Sequence, residues 1–169
     1  EVAMGVLVAV ASKHGSTREI AEVIAEELRT QGLEVDLRDA GQVDALEGYD
    51  AVVLGSGIYA GSWLPEAKHF ADQHRGALTG LPVWLFSSGP LGAPEPKPHD
   101  DPAKLAAPMG DVPIREHRVF VGKLDPADLS FGERLIARVV HAPSGDFRDW
   151  EDVSGWARRV AAELQATAP

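Results

Sequence analysis

Unbroken apolar runs alternate along the chain with stretches in which apolar residues recur every three or four positions. The runs at residues 5–11, 51–56 and 81–88 contain no charged residue, which is typical of strands covered on both faces. Residues 33–39 alternate between apolar and polar positions, and residues 117–124 mix polar positions into a β-rich segment. Together these patterns predict a five-stranded sheet with three buried strands and with the second and fifth strands at its edges.

Three segments between and after the predicted strands show helical spacing, and they cover residues 17–31, 64–76 and 149–165. Pro65 lies in the first turn of the second helix, and Gly76 is expected to follow its end. Asp149 is a good N-cap for the third helix. Because strands alternate with helices, the connections are crossovers and the sheet is mostly parallel. The predicted fold is a single α/β domain over residues 1–169, a doubly wound five-stranded parallel sheet with strand order 2-1-3-4-5.

The charge balance and the absence of cysteine narrow the possible chemistry. The chain has 26 Asp and Glu residues against 16 Lys and Arg residues, a net charge of −10, which argues against a nucleic-acid partner. Without cysteine, disulfides, thiolate catalysis and zinc–cysteine sites are excluded, and redox chemistry requires a bound cofactor. No metal site or transmembrane segment is predicted. The apolar opening segment is short and lacks the charged flank of a signal peptide, so a cytoplasmic protein is expected.

The corner between the first strand and the first helix is rich in hydroxyl groups and contains a glycine. A helix N-terminus offers unpaired backbone N–H groups and the positive end of a dipole, and both attract phosphate. The corner is therefore a candidate phosphate site, in which Ser12, Ser16 and Thr17 offer hydroxyl donors and Gly15 allows a tight turn. The alternative is a capping box, in which Ser16 and Glu19 satisfy the same N–H groups without a ligand. This loop alone leaves the two interpretations level, although the missing GxxxxGK[ST] pattern argues against a nucleoside triphosphate.

Two further strand exits carry glycines, hydroxyl groups and aromatic rings. GSGIYAGSW (55–63) closes the third strand and includes Tyr59 and Trp63, while SSGPLG (87–92) closes the fourth. Adjacent exits with these residues favour a flat aromatic ligand that carries a phosphate tail. Each aromatic side chain could instead belong to the core, and Trp63 could plug the entry to the second helix. A phospho-receiver domain has the same topology but needs an aspartate where this chain has Gly-Ser, so that class is excluded.

The segments SKHGST (12–17), GSGIYAGSW (55–63) and DFRDWEDV (146–153), in this spacing, resemble the flavodoxin-like family. The likeness is greatest to its branch of menaquinone-dependent protoporphyrinogen oxidases, and it spans nearly the whole chain. It implies the flavodoxin-like strand order and FMN as cofactor, with the FMN phosphate on residues 12–17. It also implies that the isoalloxazine ring lies between two loops formed by Ile58, Tyr59, Ala60, Gly61, Ser87, Ser88, Gly89, Pro90, Leu91 and Gly92.

The same resemblance implies an FMN-dependent oxidoreductase that uses a quinone, although no catalytic acid or base stands out in the sequence. Two alternatives stay open. One is a flavodoxin that carries electrons to a redox partner protein, for which the acidic charge would provide steering. The other is a flavin-free interaction domain that keeps the fold, because fold does not fix function.

Two long segments also have two interpretations each. Residues 93–113 are rich in proline and predict a solvated connection with one short helix around Asp101–Met109, or a flap that gates substrate access. Residues 128–142 have an amphipathic pattern, which predicts a helix that packs on the core or rests on a membrane surface where a quinone resides.

Overall fold

The computed structural model describes residues 4–13, 15–59, 62–89, 105–121, 123–124, 145–146 and 149–167. Five parallel strands form its centre: β1 (Gly5–Ala11), β2 (Glu34–Asp39), β3 (Ala51–Tyr59), β5 (Val83–Gly89) and β6 (Glu116–Val121). A short strand, β4 (Ser62–Trp63), pairs antiparallel with the end of β3. The parallel strands follow the order β2-β1-β3-β5-β6. Counted without β4, this is the predicted order 2-1-3-4-5, with the predicted strands at the two edges.

Four strands have other limits than those predicted, and the smallest difference is that β2 begins at Glu34 rather than at residue 33. β3 continues to Tyr59 because its last two residues pair with β4. β5 begins at Val83 rather than at residue 81. The fifth predicted strand, residues 117–124, ends as β6 at Val121 and is followed by β7 (Lys123–Leu124), which pairs antiparallel with β8 (Gly145–Asp146) in a separate two-stranded sheet.

The helices cover both faces of the sheet, and one of the three predicted helices is divided into two, while the other two differ from their predicted bounds by one or two residues at each end. The helices are α1 (Ser16–Thr30), α2 (Pro65–Gln73), α3 (Arg75–Thr79) and α4 (Trp150–Thr167). The prediction of one helix over residues 64–76 is wrong, because the helix is interrupted at His74 and Gly76 lies inside α3. The His74 side chain is buried, and its Nε2 lies 3.2 Å from the Val43 carbonyl oxygen, a tertiary contact that local spacing does not reveal.

The predicted apolar stripes form the core on one face of the sheet, where α1 packs beside α4. Every residue of the predicted α4 stripe is buried, namely Val153, Trp156, Ala157, Val160 and Leu164. Asp149 caps α4 as predicted, since its Oδ1 accepts a hydrogen bond of 3.1 Å from the Asp152 amide. On the other face, α2 and α3 cover a second apolar cluster.

Part of the proline-rich segment belongs to this second cluster. Leu105, Met109 and Val112 are buried, and a 3₁₀ turn spans Ala107–Met109. Arg75 of α3 holds the turn by donating from Nη2 to the Pro108 carbonyl oxygen over 2.8 Å. The solvated interpretation is therefore wrong for this part of the segment, and the gating interpretation stays a prediction. Residues 93–104 and the predicted helix over 128–142 lie outside the described residues.

No helix in the described part of the chain is long and apolar enough to cross a membrane.

Candidate functional site

The carboxyl ends of the parallel strands form one edge of the sheet, and the predicted site residues gather there. The strand register places four residues side by side along this edge, namely Ala11, Ser56, Ser87 and Val119. The chain reverses its direction of winding between β1 and β3, because β2 and β3 lie on opposite sides of β1. Ligands of open α/β sheets bind in the crevice at such a point. The structure therefore brings the three predicted exits together at one candidate site.

The first exit turns into α1 through Gly15. This residue is the N-cap of α1 and has a φ of 86°, in the left-handed region that glycine tolerates best. Its amide donates to Ser12 Oγ over 3.1 Å, and its carbonyl oxygen accepts from the Glu19 amide. The Ser12 hydroxyl thus shapes the turn. No described heavy atom beyond its chain neighbours lies within 4 Å of a Cβ built on Gly15, so the space above the N-cap is open.

This geometry contradicts the capping-box alternative. A capping box needs a hydroxyl side chain at the N-cap, but Ser16 is the first residue inside α1 and the N-cap is a glycine. Left-handed glycine before a helix turns successive backbone N–H groups toward one point, an arrangement that binds anions. The structure therefore favours the anion interpretation of this corner. Ser16 is half-buried and Lys13 is exposed, while His14 lies outside the described residues.

Thr17 joins the first exit to the third strand. Its side chain is buried, and its Oγ1 lies 3.1 Å from the position of a Cβ built on Gly57. A larger residue than glycine at position 57 would press on this hydroxyl. The absence of a side chain on Gly57 therefore lets α1 approach β3 at the carboxyl edge.

The second exit is a hairpin formed by β3 and β4. Ile58 pairs with Trp63 and Tyr59 pairs with Ser62, while Ala60 and Gly61 between them lie outside the described residues. The Ser56 hydroxyl fixes the base of this hairpin, because it donates to the Gly57 carbonyl oxygen over 2.8 Å and accepts from the Leu64 amide over 3.0 Å. Ile58 is 6% exposed and packs in the core, so its backbone is the part available to a ligand.

The third exit is tied to the hairpin through a buried hydroxyl. Trp63 Nε1 donates to Ser87 Oγ over 2.8 Å, and His117 Nε2 lies 2.7 Å from the same oxygen. Trp63 is only 2% exposed, so the structure favours the plug interpretation over an open aromatic face. His117 was not predicted from the sequence. Its place beside Ser87 follows from the pairing of β5 with β6, which no local pattern gives.

The rest of the third exit is described only in part. Ser88 and Gly89 are buried at the end of β5, where Gly89 pairs with Val121. Pro90, Leu91 and Gly92 lie outside the described residues.

The charged side chains near the first exit are largely paired with one another. Arg18, in the first turn of α1, forms ion pairs with Asp39 at the end of β2 and with Glu22 one turn further along α1. These pairs are partly exposed, so they contribute little to stability. They do hold the Arg18 guanidinium on the β2 side of the loop that joins β1 to α1. In the described ranges, no three potential metal ligands lie close enough together to hold an ion.

Comparison with known proteins gives the same classification as the geometry. A family described as Flavodoxin domain matches residues 7–150. Protoporphyrinogen IX dehydrogenase [quinone] of Escherichia coli (strain K12) is 25% identical to this chain, over 94% of this chain and 95% of that protein. Probable flavodoxin 1 of Bacillus subtilis (strain 168) is 32% identical over 53% of this chain and 59% of its own length. A solved flavodoxin from the domain Archaea superposes with a TM-score of 0.65 at 16% identity, covering 96% of this chain and 99% of that one.

Proposed function

The chain belongs to the flavodoxin domain family, and on that premise we propose that it is an FMN-dependent oxidoreductase that transfers electrons from a porphyrinogen to a quinone. The observation that carries the proposal is the similarity to the E. coli dehydrogenase, which extends over almost the whole of both chains. FMN, when bound, supplies the redox chemistry, and the protein supplies binding and orientation. A quinone acceptor would bring the protein to a membrane surface.

The first exit fits the phosphate of FMN. The left-handed turn at Gly15, whose own amide is bonded to Ser12, leads into the first turn of α1, and the space around the Cβ position of Gly15 is open. In the proposal, Ser12, Lys13, His14, Gly15, Ser16 and Thr17 form the phosphate site, with Ser12 holding the turn and Thr17 holding it against β3.

The second and third exits fit the isoalloxazine ring. In the proposal the ring lies between residues 58–61 and residues 87–92. The side chain of Ile58 is buried, so in the proposal this residue contacts the ring through its backbone. The side chain of Ser87 is also buried, and its bond to Trp63 supports the two loops. Backbone N–H and carbonyl groups near glycines can reach the polar edge of a flavin, since no side chain intervenes.

A second candidate function is that of an electron carrier for a redox partner protein. It is supported by the 32% identity to the B. subtilis probable flavodoxin and by the net charge of −10. An acidic surface speeds encounter with a basic partner and makes the rate depend on ionic strength.

The first experiment tests the cofactor and the phosphate site together. The purified protein is titrated with FMN and with riboflavin, which lacks the phosphate, and binding is followed by quenching of flavin fluorescence. Gly15→Ala places a Cβ on a residue with φ of 86°, and Gly32→Ala does the same at 94° beyond the other end of α1. Both substitutions should lower stability by about 1 kcal/mol. Only Gly15→Ala should weaken FMN binding more than riboflavin binding.

The second experiment separates the two candidate functions. FMN-loaded protein is mixed with protoporphyrinogen and a soluble menaquinone analogue, and the appearance of fluorescent porphyrin is followed. Turnover that requires the quinone supports the oxidase. Absence of turnover, together with salt-sensitive electron exchange with a flavodoxin reductase, supports the carrier. A protein that binds neither FMN nor riboflavin refutes both and leaves the flavin-free domain.

A further inference from the structure

Three side chains from three different strands form a continuous hydrogen-bonded set that reaches the carboxyl edge of the sheet at Ser87, while His117 lies near the start of β6. Trp63 of β4 donates from Nε1 to Ser87 Oγ of β5, and His117 Nε2 of β6 lies 2.7 Å from that oxygen. Trp63 and His117 also meet edge to face, with their ring centroids 6.0 Å apart. We propose that His117 is a positioning residue for FMN, because it fixes, through Ser87 and Trp63, the separation of the two loops that hold the isoalloxazine ring. This inference rests on the proposed function.

The set joins the strand ends from which the two proposed loops extend. Trp63 is the last residue of β4, and Ser87 lies in β5, two residues before that strand ends at Gly89. The hairpin itself has only two pairs of residues between β3 and β4, and so short a pairing is weak on its own. The bond from Trp63 to Ser87 ties the hairpin to a central strand of the main sheet.

The hydrogen-bonding capacity of the three groups explains why His117 matters to the other two. An indole N–H can only donate, while a serine hydroxyl has one hydrogen and two lone pairs. With Trp63 on one lone pair, Ser87 can either donate to a neutral His117 or accept from its Nε2–H. In both arrangements the imidazole limits the directions open to the hydroxyl. Because Ser87 is fully buried, loss of that partner leaves the hydroxyl free to reorient, and the bond to Trp63 loosens.

A histidine buried elsewhere on the same face of the sheet provides a matched control. His74 is 6% exposed and bonds through Nε2 to the Val43 carbonyl oxygen. It lies at the C-terminal end of α2, whereas Trp63 precedes the N-terminal end of that helix. His74→Gln should therefore reduce stability without affecting the loops.

The test compares His117→Leu, His117→Gln and Trp63→Phe with the parent protein and with His74→Gln. Each protein is measured for its FMN dissociation constant, for the visible circular dichroism of bound FMN, and for its denaturation midpoint without FMN. We expect His117→Leu and Trp63→Phe to weaken FMN binding about five- to tenfold and to alter the visible dichroism, as loss of one neutral hydrogen bond would. Because the two substitutions interrupt the same set, the double variant with both His117→Leu and Trp63→Phe should bind FMN no more weakly than either single variant.

The same variants also show whether a conservative substitution restores FMN binding and which result would overturn the inference. Glutamine at position 117 can still bond to Ser87, so His117→Gln should bind FMN within about twofold of the parent. Parental affinity and dichroism in His117→Leu and Trp63→Phe, with only a lower denaturation midpoint, would show that the set is purely structural and would overturn the inference while leaving the proposed function intact. If the parent does not bind FMN, the proposed function fails and the inference fails with it. If His117→Leu does not fold, Trp63→Phe makes the same comparison with the aromatic ring retained.

Discussion

Replacement of Gly55 by alanine should destabilise the protein strongly, because an aromatic ring occupies the place of the missing side chain. Gly55 of β3 pairs directly with Phe86 of β5. A Cβ built on Gly55 would lie 2.0 Å from Cζ of Phe86 and 2.2 Å from its Cε1. The tip of the ring would have to move by about 1.5 Å to restore an ordinary carbon–carbon contact.

The surroundings of Phe86 oppose that movement. Its side chain is completely buried, and its ring lies 6.3 Å from that of Phe120 and 6.2 Å from that of Trp156, between centroids. Overpacking of a well-filled core costs about 1–3 kcal/mol, and we expect Gly55→Ala to fall near the upper limit, about 3 kcal/mol. In a chain of this length that corresponds to a fall of about 6–12 °C in the melting temperature.

The assay is chemical denaturation of flavin-free protein, followed by far-UV circular dichroism, with two further variants. In Phe86→Leu the side chain is shorter, so the penalty for alanine at position 55 should shrink by about 1–2 kcal/mol in a double-mutant cycle. Gly76→Ala makes the same chemical change in α3, where no heavy atom of the described residues, apart from its chain neighbours and its own helix backbone, lies within 4 Å of the new Cβ. It should stabilise the protein by about 0.5–1 kcal/mol. A Gly55→Ala variant within about 0.5 kcal/mol of the parent would refute the packing of Phe86 over Gly55.

Three further predictions follow from individual contacts. Gly57→Ala should weaken FMN binding about tenfold, because its Cβ would press on Thr17 Oγ1, and unchanged affinity in a fluorescence titration would contradict this. Asp149→Ala should cost about 1 kcal/mol in denaturation experiments by removing the cap of α4, and Asp149→Asn should restore most of it. Burial and the hydrogen bond to Asp36 raise the pKa of Tyr49, so its contribution to stability is complete below the pKa of an unfolded tyrosine, about 10, and is lost as pH rises through the folded value. In a Tyr59→Phe background, where Tyr49 is the one remaining tyrosine, absorbance at alkaline pH should show that Tyr49 ionises at a higher pH than a free tyrosine. Adding Asp36→Asn should lower the pH at which it ionises.

The order of the sheet and the apolar faces of α1 and α4 could be predicted from the sequence because their signals are repeated many times. Ile20, Ile24 and Leu28 recur at helical spacing, and all three are completely buried. The alternating β2 segment was likewise predicted as an edge strand, which it is. When several equivalent positions indicate the same helix or strand, the prediction stays correct even if one of those positions departs from the pattern.

The features that were missed depend on single contacts between distant parts of the chain. β4 has two residues, too few for any periodicity, and exists because it folds back on β3. The His74 side chain, at the break between α2 and α3, contacts a carbonyl oxygen 31 residues away. The capping box was suggested by the spacing of Ser16 and Glu19, but the position of the N-cap was decided by the left-handed turn at Gly15. Local spacing contains none of this information.

Several polar side chains at the carboxyl edge are engaged within the protein, and this bears on how the proposed site would select its ligand. Ser56 joins β3 to the start of α2, and Trp63 and Ser87 join β4 to β5. Groups already engaged within the protein are held in place before a ligand arrives, which reduces the entropy that binding must cost. In the proposed FMN site, direct recognition would then fall mainly to the backbone around glycines and to the start of α1. Such a site would select FMN by its shape and its phosphate, and the flavin would supply the chemistry.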